Sequence, residues 1–182
     1  LSTAAPNPVR RSARRRRAGA TAPARDPTPA RAYGPGKFPE PRAKLGADPG
    51  LIPSAVSEIL RWQTPLAHMR RTATADAVLM GQQIKAGDKL ALWYISANRD
   101  ESVFGDDADS SVVDRPNARR HLAFGHGIHR CVGARLAEMQ IAILLEEMAA
   151  RRMRINVLEE PTRVNACFVH GYRTLPVEIS KY

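Results

Sequence analysis

The ten residues from Phe124 to Gly133 read F-G-H-G-I-H-R-C-V-G, and a long helical pattern over residues 134–145 follows at once. Cys131 stands just before this helix, where free N–H groups and the positive end of the helix dipole stabilise a thiolate. Gly125 and Gly127 permit a tight turn and a close approach to a flat ligand. The stretch therefore predicts a loop that presents the Cys131 sulfur as an anionic ligand.

Two uses of Cys131 compete at this level. A free cysteine inside a cell is most often a buried thiol without a chemical role. A thiolate is also a soft, strongly donating ligand that suits haem iron. The neighbouring residues favour the second use, because Phe124 can keep the sulfur dry, His129 can contact a carboxylate and Gly133 leaves room under a flat ring.

The pattern F-G-x-G-x-H-R-C-x-G resembles the haem-binding loop of cytochromes P450, and every fixed position of that loop is matched. The resemblance covers about residues 37–180, which correspond to the C-terminal portion of the family from its K helix onward. It implies haem b as the cofactor, with Cys131 as the axial ligand of the iron. The haem-binding residues that it implies are Arg71, Phe124, Gly125, Gly127, His129, Cys131, Gly133 and Ala137.

Glu58 and Arg61 lie three residues apart in a predicted helix that Pro53 opens and Pro65 ends. One interpretation is a surface ion pair that contributes little to stability. The segment E-I-L-R at these positions resembles the E-x-x-R of the P450 K helix. That resemblance implies a structural cluster, which Arg115 completes from the following meander.

The chain divides into two unlike parts. Residues 1–36 hold eight Arg, one Asp and six Pro, a net charge of +7, which leaves +3 of the total +10 for residues 37–182. The first part has few large apolar side chains and is predicted to be a disordered Arg/Ala/Pro-rich segment. It is either a solvated tail or a tether for nucleic acid or acidic lipid. Nucleic-acid binding is the weaker interpretation, because no aromatic residue is interleaved with the Arg runs.

Residues 37–182 are predicted to form a partial cytochrome P450 domain. The fold class is α+β and mainly helical, restricted to the C-terminal haem-proximal portion: K and L helices, small β-sheets, a meander over residues 101–119 and a C-terminal β hairpin. The L helix is predicted to bury one apolar stripe, made of Leu136, Met139, Ile143 and Leu144. The family has a Pro-Asp-x-Phe element where this chain has residues 107–111, so weak packing is predicted for that loop.

The resemblance implies a haem-thiolate monooxygenase, which is an oxidoreductase. Among P450s the sequence is closest to bacterial soluble alkane and fatty-acid terminal hydroxylases, which use O₂ and electrons from a ferredoxin and its ferredoxin reductase. The implied substrate is a small aliphatic molecule, and the implied pocket residues are Leu66, Ala67 and Phe168. Burial in the core of a sheet is the alternative for Phe168 and for its neighbour Cys167.

The family's I helix, with the acid–alcohol pair that delivers protons, has no counterpart in the sequence, so no catalytic residue is assigned. The expectation is a truncated or frame-shifted reading of a longer gene, inactive as it stands. Two other classes remain open: a non-catalytic haem-binding fragment, and a basic nucleic-acid-associated protein acting through residues 1–36. Two cysteines, no secretory signal and no apolar run of membrane length predict a cytoplasmic protein without membrane contact.

Overall fold

The structure is a computed structural model that describes Ala18–Gly19 and residues 39–181. The predicted disordered segment, residues 1–36, lies outside these residues except for Ala18–Gly19. Those two residues form a short strand, β1, which pairs antiparallel with Leu175 and Thr174 of strand β8.

The helices include the two that the sequence predicted, the K and L helices, and others that it did not. In the described residues they are α1 (Pro39–Ala47), α2 (Ile52–Gln63), α3 (Tyr94–Ala97), α4 (Glu101–Phe104) and α5 (Ala134–Ala150), with single 3-10 turns at Pro49–Leu51, Ala118–Arg120 and Gly127–His129. Pro53 occupies the first turn of α2, where its missing N–H breaks no helical hydrogen bond. Helix α2 is the predicted K helix and α5 is the predicted L helix. None of the described helices combines the length and the apolar character needed to cross a bilayer.

The strands form small antiparallel sheets. They are β2 (Met69–Thr72), β3 (Ala77–Leu79), β4 (Gln82–Ile84), β5 (Lys89–Leu92), β6 (Met153–Val157), β7 (Thr162–Arg163), β8 (Tyr172–Leu175) and β9 (Val177–Lys181). Strand β2 pairs with β5, β3 with β4, β6 with β9, and β8 lies between β1 and β7. An isolated bridge between Leu66 and Val169 joins the segment before β2 to the segment before β8. The predicted α+β class with small sheets is confirmed.

The main core lies between α2 and α5. The buried side chains of this core are Ile52, Ala55, Val56, Ile59 and Leu60 from α2, Ile141 and Leu145 from α5, and Val113 and Ala123 from the connecting segments. The stripe predicted for α5 is wrong, because Leu136, Met139 and Ile143 are each about half exposed. Since α5 carries apolar residues around most of its circumference, the contact with α2, and not the spacing alone, decides which face is buried.

The meander is well packed, although it lacks the Pro-Asp-x-Phe element. Phe104, Ala108 and Val113 are buried, with relative exposures of 4%, 1% and 3%. The guanidinium of Arg61 donates to the backbone carbonyls of Ala108 at 2.7 Å and Ser110 at 2.8 Å. The prediction of weak packing is therefore wrong, because hydrogen bonds to the backbone and the buried Phe104 ring anchor the meander.

Candidate functional site

The Cys loop, residues 124–133, leads directly into α5. It is closed by a hydrogen bond of 2.9 Å from the Cys131 N–H to the Phe124 carbonyl. Gly125 and Gly127 have φ values of +72° and +76°, which L side chains rarely adopt. The Cys131 side chain is exposed, so the buried-thiol interpretation is wrong. The loop presents the sulfur three residues before Ala134, the first residue of α5.

A cavity of about 710 Å³, here called the main cavity, lies against the Cys loop. Its wall is mostly apolar, and the larger apolar side chains on it are Leu60, Leu66, Met69, Ile128, Val132, Leu136 and Val169. Cys131 and Gly133 line it from the Cys loop, and Ala137 lines it from α5. Arg71 and His129 also lie on the wall and bring hydrogen-bond donors to it. The main cavity thus combines one soft ligand, an apolar wall and donors for an anion.

Seven of the eight predicted haem-binding residues line the main cavity. They are Arg71, Phe124, Gly125, His129, Cys131, Gly133 and Ala137. The eighth, Gly127, lines an adjoining cavity of about 420 Å³, here called the side cavity. The two cavities share four wall residues, which are Arg71, Tyr94, Ile128 and His129.

The three predicted substrate-pocket residues are placed differently from one another. Leu66 lies on the wall of the main cavity, together with Val169, its bridge partner. Ala67 and Phe168 are not on that wall, although the Ala67 N–H donates to the Phe168 carbonyl at 3.0 Å. Phe168 is 41% exposed and Cys167 is also exposed, so the sheet-core interpretation of these two residues is wrong.

The donor set of the main cavity fits a haem. Its volume lies within the range of roughly 300–1,000 Å³ that is typical of small-molecule sites. Among residues 39–181 there is no cluster of three or more His, Cys, Asp or Glu that could hold a metal ion. A haem brings its own ring ligands, so one thiolate from the protein, here Cys131, would be enough to hold its iron. Arg71 can pair with an acidic group at the edge of such a ring.

Glu58 is the centre of a buried ionic cluster that supports the site. Its carboxylate accepts from Arg61 Nε at 2.7 Å and Nη2 at 2.8 Å, from Arg115 Nε at 3.2 Å and from the Val112 N–H at 2.8 Å. Glu58 and Arg61 are fully buried and Arg115 is 5% exposed. Burial opposes the charge of Arg115, but the hydrogen bond to Asp107 and the charge of Glu58 outweigh it and raise its pKa. The surface-pair interpretation therefore does not describe these residues, which tie α2 to the meander.

The segment that enters the Cys loop is held by one buried and one partly buried polar side chain. Asn98 is fully buried; its Oδ1 accepts from the Leu122 N–H at 2.6 Å and its Nδ2 donates to Thr64 Oγ1 at 2.8 Å. His121 Nδ1 accepts from the Ala123 N–H at 3.2 Å. Burial lowers the pKa of His121 to about 4, so it is neutral near pH 7 and can keep this acceptor. Neither residue stands in a sequence pattern that indicates this role.

A second polar network, also missed from the sequence, fixes the wall opposite the Cys loop. Tyr172 Oη donates to Gln63 Oε1 at 3.0 Å, and Gln63 Nε2 donates to the His170 carbonyl at 3.0 Å. His170 Nδ1 donates to the Gln63 carbonyl at 2.8 Å, and its Nε2 accepts from Arg163 at 2.7 Å. Burial lowers the pKa of His170, despite the opposing effect of the hydrogen bond to Gln63. No local pattern signals this network, because Gln63 is more than 100 residues away from His170 and Tyr172.

Comparison with known proteins identifies the family. The model of the cytochrome P450 family matches residues 47–151 of this chain, and the chain therefore belongs to the cytochrome P450 family. The methyl-branched lipid omega-hydroxylase of Mycobacterium tuberculosis is 45% identical over 143 residues, which are 78% of this chain and 33% of that protein.

Two solved structures are similar in sequence and fold. CYP153D17 from Sphingomonas sp. PAMC 26605 is 76% identical with a TM-score of 0.83, and cytochrome P450-153 from Novosphingobium aromaticivorans is 61% identical with a TM-score of 0.82. Each match covers 87% of this chain and 40% of the other chain. The chain spans about a third of the length of the curated relatives that it matches. The predicted resemblance and the partial P450 fold are confirmed.

Proposed function

We propose that this chain forms the Cys-ligand side of the haem site of a P450 monooxygenase, with Cys131 as the axial ligand of haem b. The observation that carries the proposal is the exposed Cys131 thiol on the wall of the main cavity, immediately before α5. When bound, the haem supplies activation of O₂ for insertion of one oxygen atom into an unactivated C–H bond. The protein supplies the ligand, the orientation and the access.

Each part of the site has a physical task. Cys131 would supply the sulfur ligand, and the positive end of the α5 dipole would complement the negative charge of a metal-bound thiolate. Phe124 and Leu136 form an apolar surround that limits the access of water to the sulfur. Arg71 neutralises a carboxylate at the edge of the ring. The Glu58 cluster holds the meander, and with it the entrance to the Cys loop, in one position.

The proposed substrate is a medium-chain alkane, a fatty acid or a similar aliphatic molecule. Leu66 and Val169 bring an apolar surface to the main cavity, and Ala67 and Phe168 lie directly beside them. This assignment is consistent with the omega-hydroxylase among the relatives. The proposed electron donor is a ferredoxin, reduced by its reductase. Exposed Arg130 in the Cys loop offers a docking point for such an acidic partner.

The first experiment tests the ligand. The purified chain is titrated with haem, reduced and exposed to CO, because thiolate-ligated haem then shows a distinctive red-shifted Soret band. Cys131→Ala should abolish this band, whereas Cys167→Ala, which removes the other exposed cysteine, should preserve it. A normal red-shifted band in Cys131→Ala, or no haem binding by the wild-type chain, would refute the proposal.

The second experiment tests coupling to substrate. We propose that the 182-residue chain alone diverts electrons to peroxide, because no acid–alcohol pair for proton delivery is recognised in its sequence and catalysis requires exclusion of water. The haem-loaded chain is supplied with ferredoxin, its reductase, NADH and octane, and 1-octanol is measured against peroxide. A reaction without octane sets the background. Octanol in good yield per NADH consumed would show that this chain is sufficient for hydroxylation.

A further inference from the structure

Tyr94 occupies the boundary between the main cavity and the side cavity. It is the first residue of α3, only 8% exposed, and it lines both cavities. Arg71 and His129 also line both cavities. A phenol, a guanidinium and an imidazole therefore border the same space beside the Cys loop.

The hydroxyl of Tyr94 has no hydrogen-bond partner among residues 39–181. The other tyrosine on the main cavity, Tyr172, differs in this respect, because its hydroxyl donates to Gln63 Oε1 at 3.0 Å. Among the described residues the buried side-chain polar atom without a partner is His68 Nδ1, so the Tyr94 hydroxyl is not sealed inside the protein. Its O–H therefore remains available to bond to whatever fills the cavity.

The position of the phenol is fixed by the Cys loop. A Cβ atom added to Gly125 would lie 3.2 Å from Tyr94 Oη and 3.7 Å from Cζ, closer than ordinary van der Waals contact for the oxygen. Gly125 also has φ of +72°, so a larger residue is strained there for a second reason. The end of the Tyr94 ring therefore rests against the first turn of the Cys loop, six residues before the thiol that the loop presents.

We propose that Tyr94 is a cofactor-binding residue whose hydroxyl donates a hydrogen bond to a carboxylate of the haem, beside Arg71 and His129. The inference rests on the proposed function, because it takes haem as the occupant of the main cavity. The chemistry selects the carboxylate: Arg offers only donors, and Tyr O–H and an imidazole N–H can add two more, so an anionic oxygen is the complementary group. Tyr94 thereby links the edge of the cofactor to the loop that carries its axial ligand.

The test is Tyr94→Phe, which removes one oxygen and keeps the ring against Gly125. Haem-loaded wild-type and variant chains are mixed with excess apomyoglobin, and haem transfer is followed by absorbance. Loss of a hydrogen bond to a charged group should accelerate haem release about 10-fold or more. The thermal midpoint of the haem-free chain should not change, because the hydroxyl has no partner in the described part of the protein. Tyr172→Phe is the matched control, and it should lower that midpoint because it breaks the bond to Gln63.

A second arm identifies the acceptor. Both chains are reconstituted with haem dimethyl ester, whose carboxylates are no longer charged, and the rates of release are measured again. The difference between wild type and Tyr94→Phe should shrink to within about twofold, since the charge-assisted contact has already been lost. An unchanged difference with the ester, or equal release rates with ordinary haem, would overturn the role of Tyr94 and leave the proposed function standing. A wild-type chain that binds no haem through Cys131 would overturn both.

Discussion

Replacing Glu58 with Ala tests the buried cluster most directly. The carboxylate receives four hydrogen bonds, three of them from the guanidinium groups of Arg61 and Arg115. All three side chains are at most 5% exposed. Removal of the carboxylate leaves the fully buried Arg61 without its ion-pair partner and leaves Arg115 with Asp107 alone. Loss of a proton cannot relieve the unpaired positive charge, because a guanidinium keeps its proton at any ordinary pH.

We expect Glu58→Ala to lower the free energy of unfolding by about 3–5 kcal/mol, the usual cost of breaking a buried ion pair from one side. Total stabilities of about 5–15 kcal/mol make this a large fraction. The matched control is Glu147→Ala in α5, which breaks a contact of 2.7 Å with Arg151. Both partners of that pair are more than half exposed, so the control should cost about 0.5 kcal/mol or less.

The assay is urea unfolding of the haem-free chains, followed by far-ultraviolet circular dichroism. Equal m-values would allow the midpoints to be compared directly. Glu58→Gln provides an intermediate case, because the amide keeps one acceptor for Arg61 but has no charge. If Glu58→Ala and Glu147→Ala cost the same, the cluster contributes no more than a surface pair and the argument from burial is refuted.

Two further predictions concern the wall of the main cavity and the segment that leads into the Cys loop. Replacing Arg71 and His129 together with Ala should weaken haem retention while thiolate ligation persists, since each contact to a carboxylate is worth about 1.5–3 kcal/mol; haem release as slow as in wild type would contradict their role. His121→Asn keeps an acceptor for the Ala123 N–H but cannot titrate. Because the unfolded chain binds a proton at His121 more readily than the folded chain does, stability is complete above pH 6.5 and falls towards the folded pKa of about 4. His121→Asn should abolish up to about 3 kcal/mol of this decrease in the free energy of unfolding at acidic pH. A decrease with falling pH should remain, because burial also lowers the pKa of His170. An identical pH profile in equilibrium unfolding would exclude His121 as its cause.

The features predicted well from the sequence are those for which one residue type has one physical use. The Cys loop needs Gly at positive φ and a Cys before a helix, so its ten residues already describe the shape that the structure shows. Helix α2 was predicted because Pro53 and Pro65 limit it and apolar residues between them recur on one face. In both cases the information lies within one short segment.

The features that were missed depend on partners far away in the chain. Gln63 and Tyr172 are 109 positions apart, and neither stands in a pattern that indicates the other. Tyr94 stands in no local pattern that indicates a cofactor contact: β5 ends at Leu92, and Tyr94 begins a helix beside a cavity. The buried face of α5 was wrong for a related reason: a helix that is apolar on several sides does not specify which side meets its neighbour.

The hydrogen bonds that anchor the meander have a consequence for evolution. Arg61 and Arg115 reach this loop largely through main-chain carbonyls, those of Ala108, Ser110, Phe104 and Asp107 among them. A carbonyl oxygen is present whatever the side chain. The side chains of the loop can therefore be replaced as long as its backbone path and the buried Ala108 are kept. This is why residues 107–111 need no aromatic side chain of their own. Randomising the loop should accordingly return many acceptable variants at Ser110 and few at Ala108.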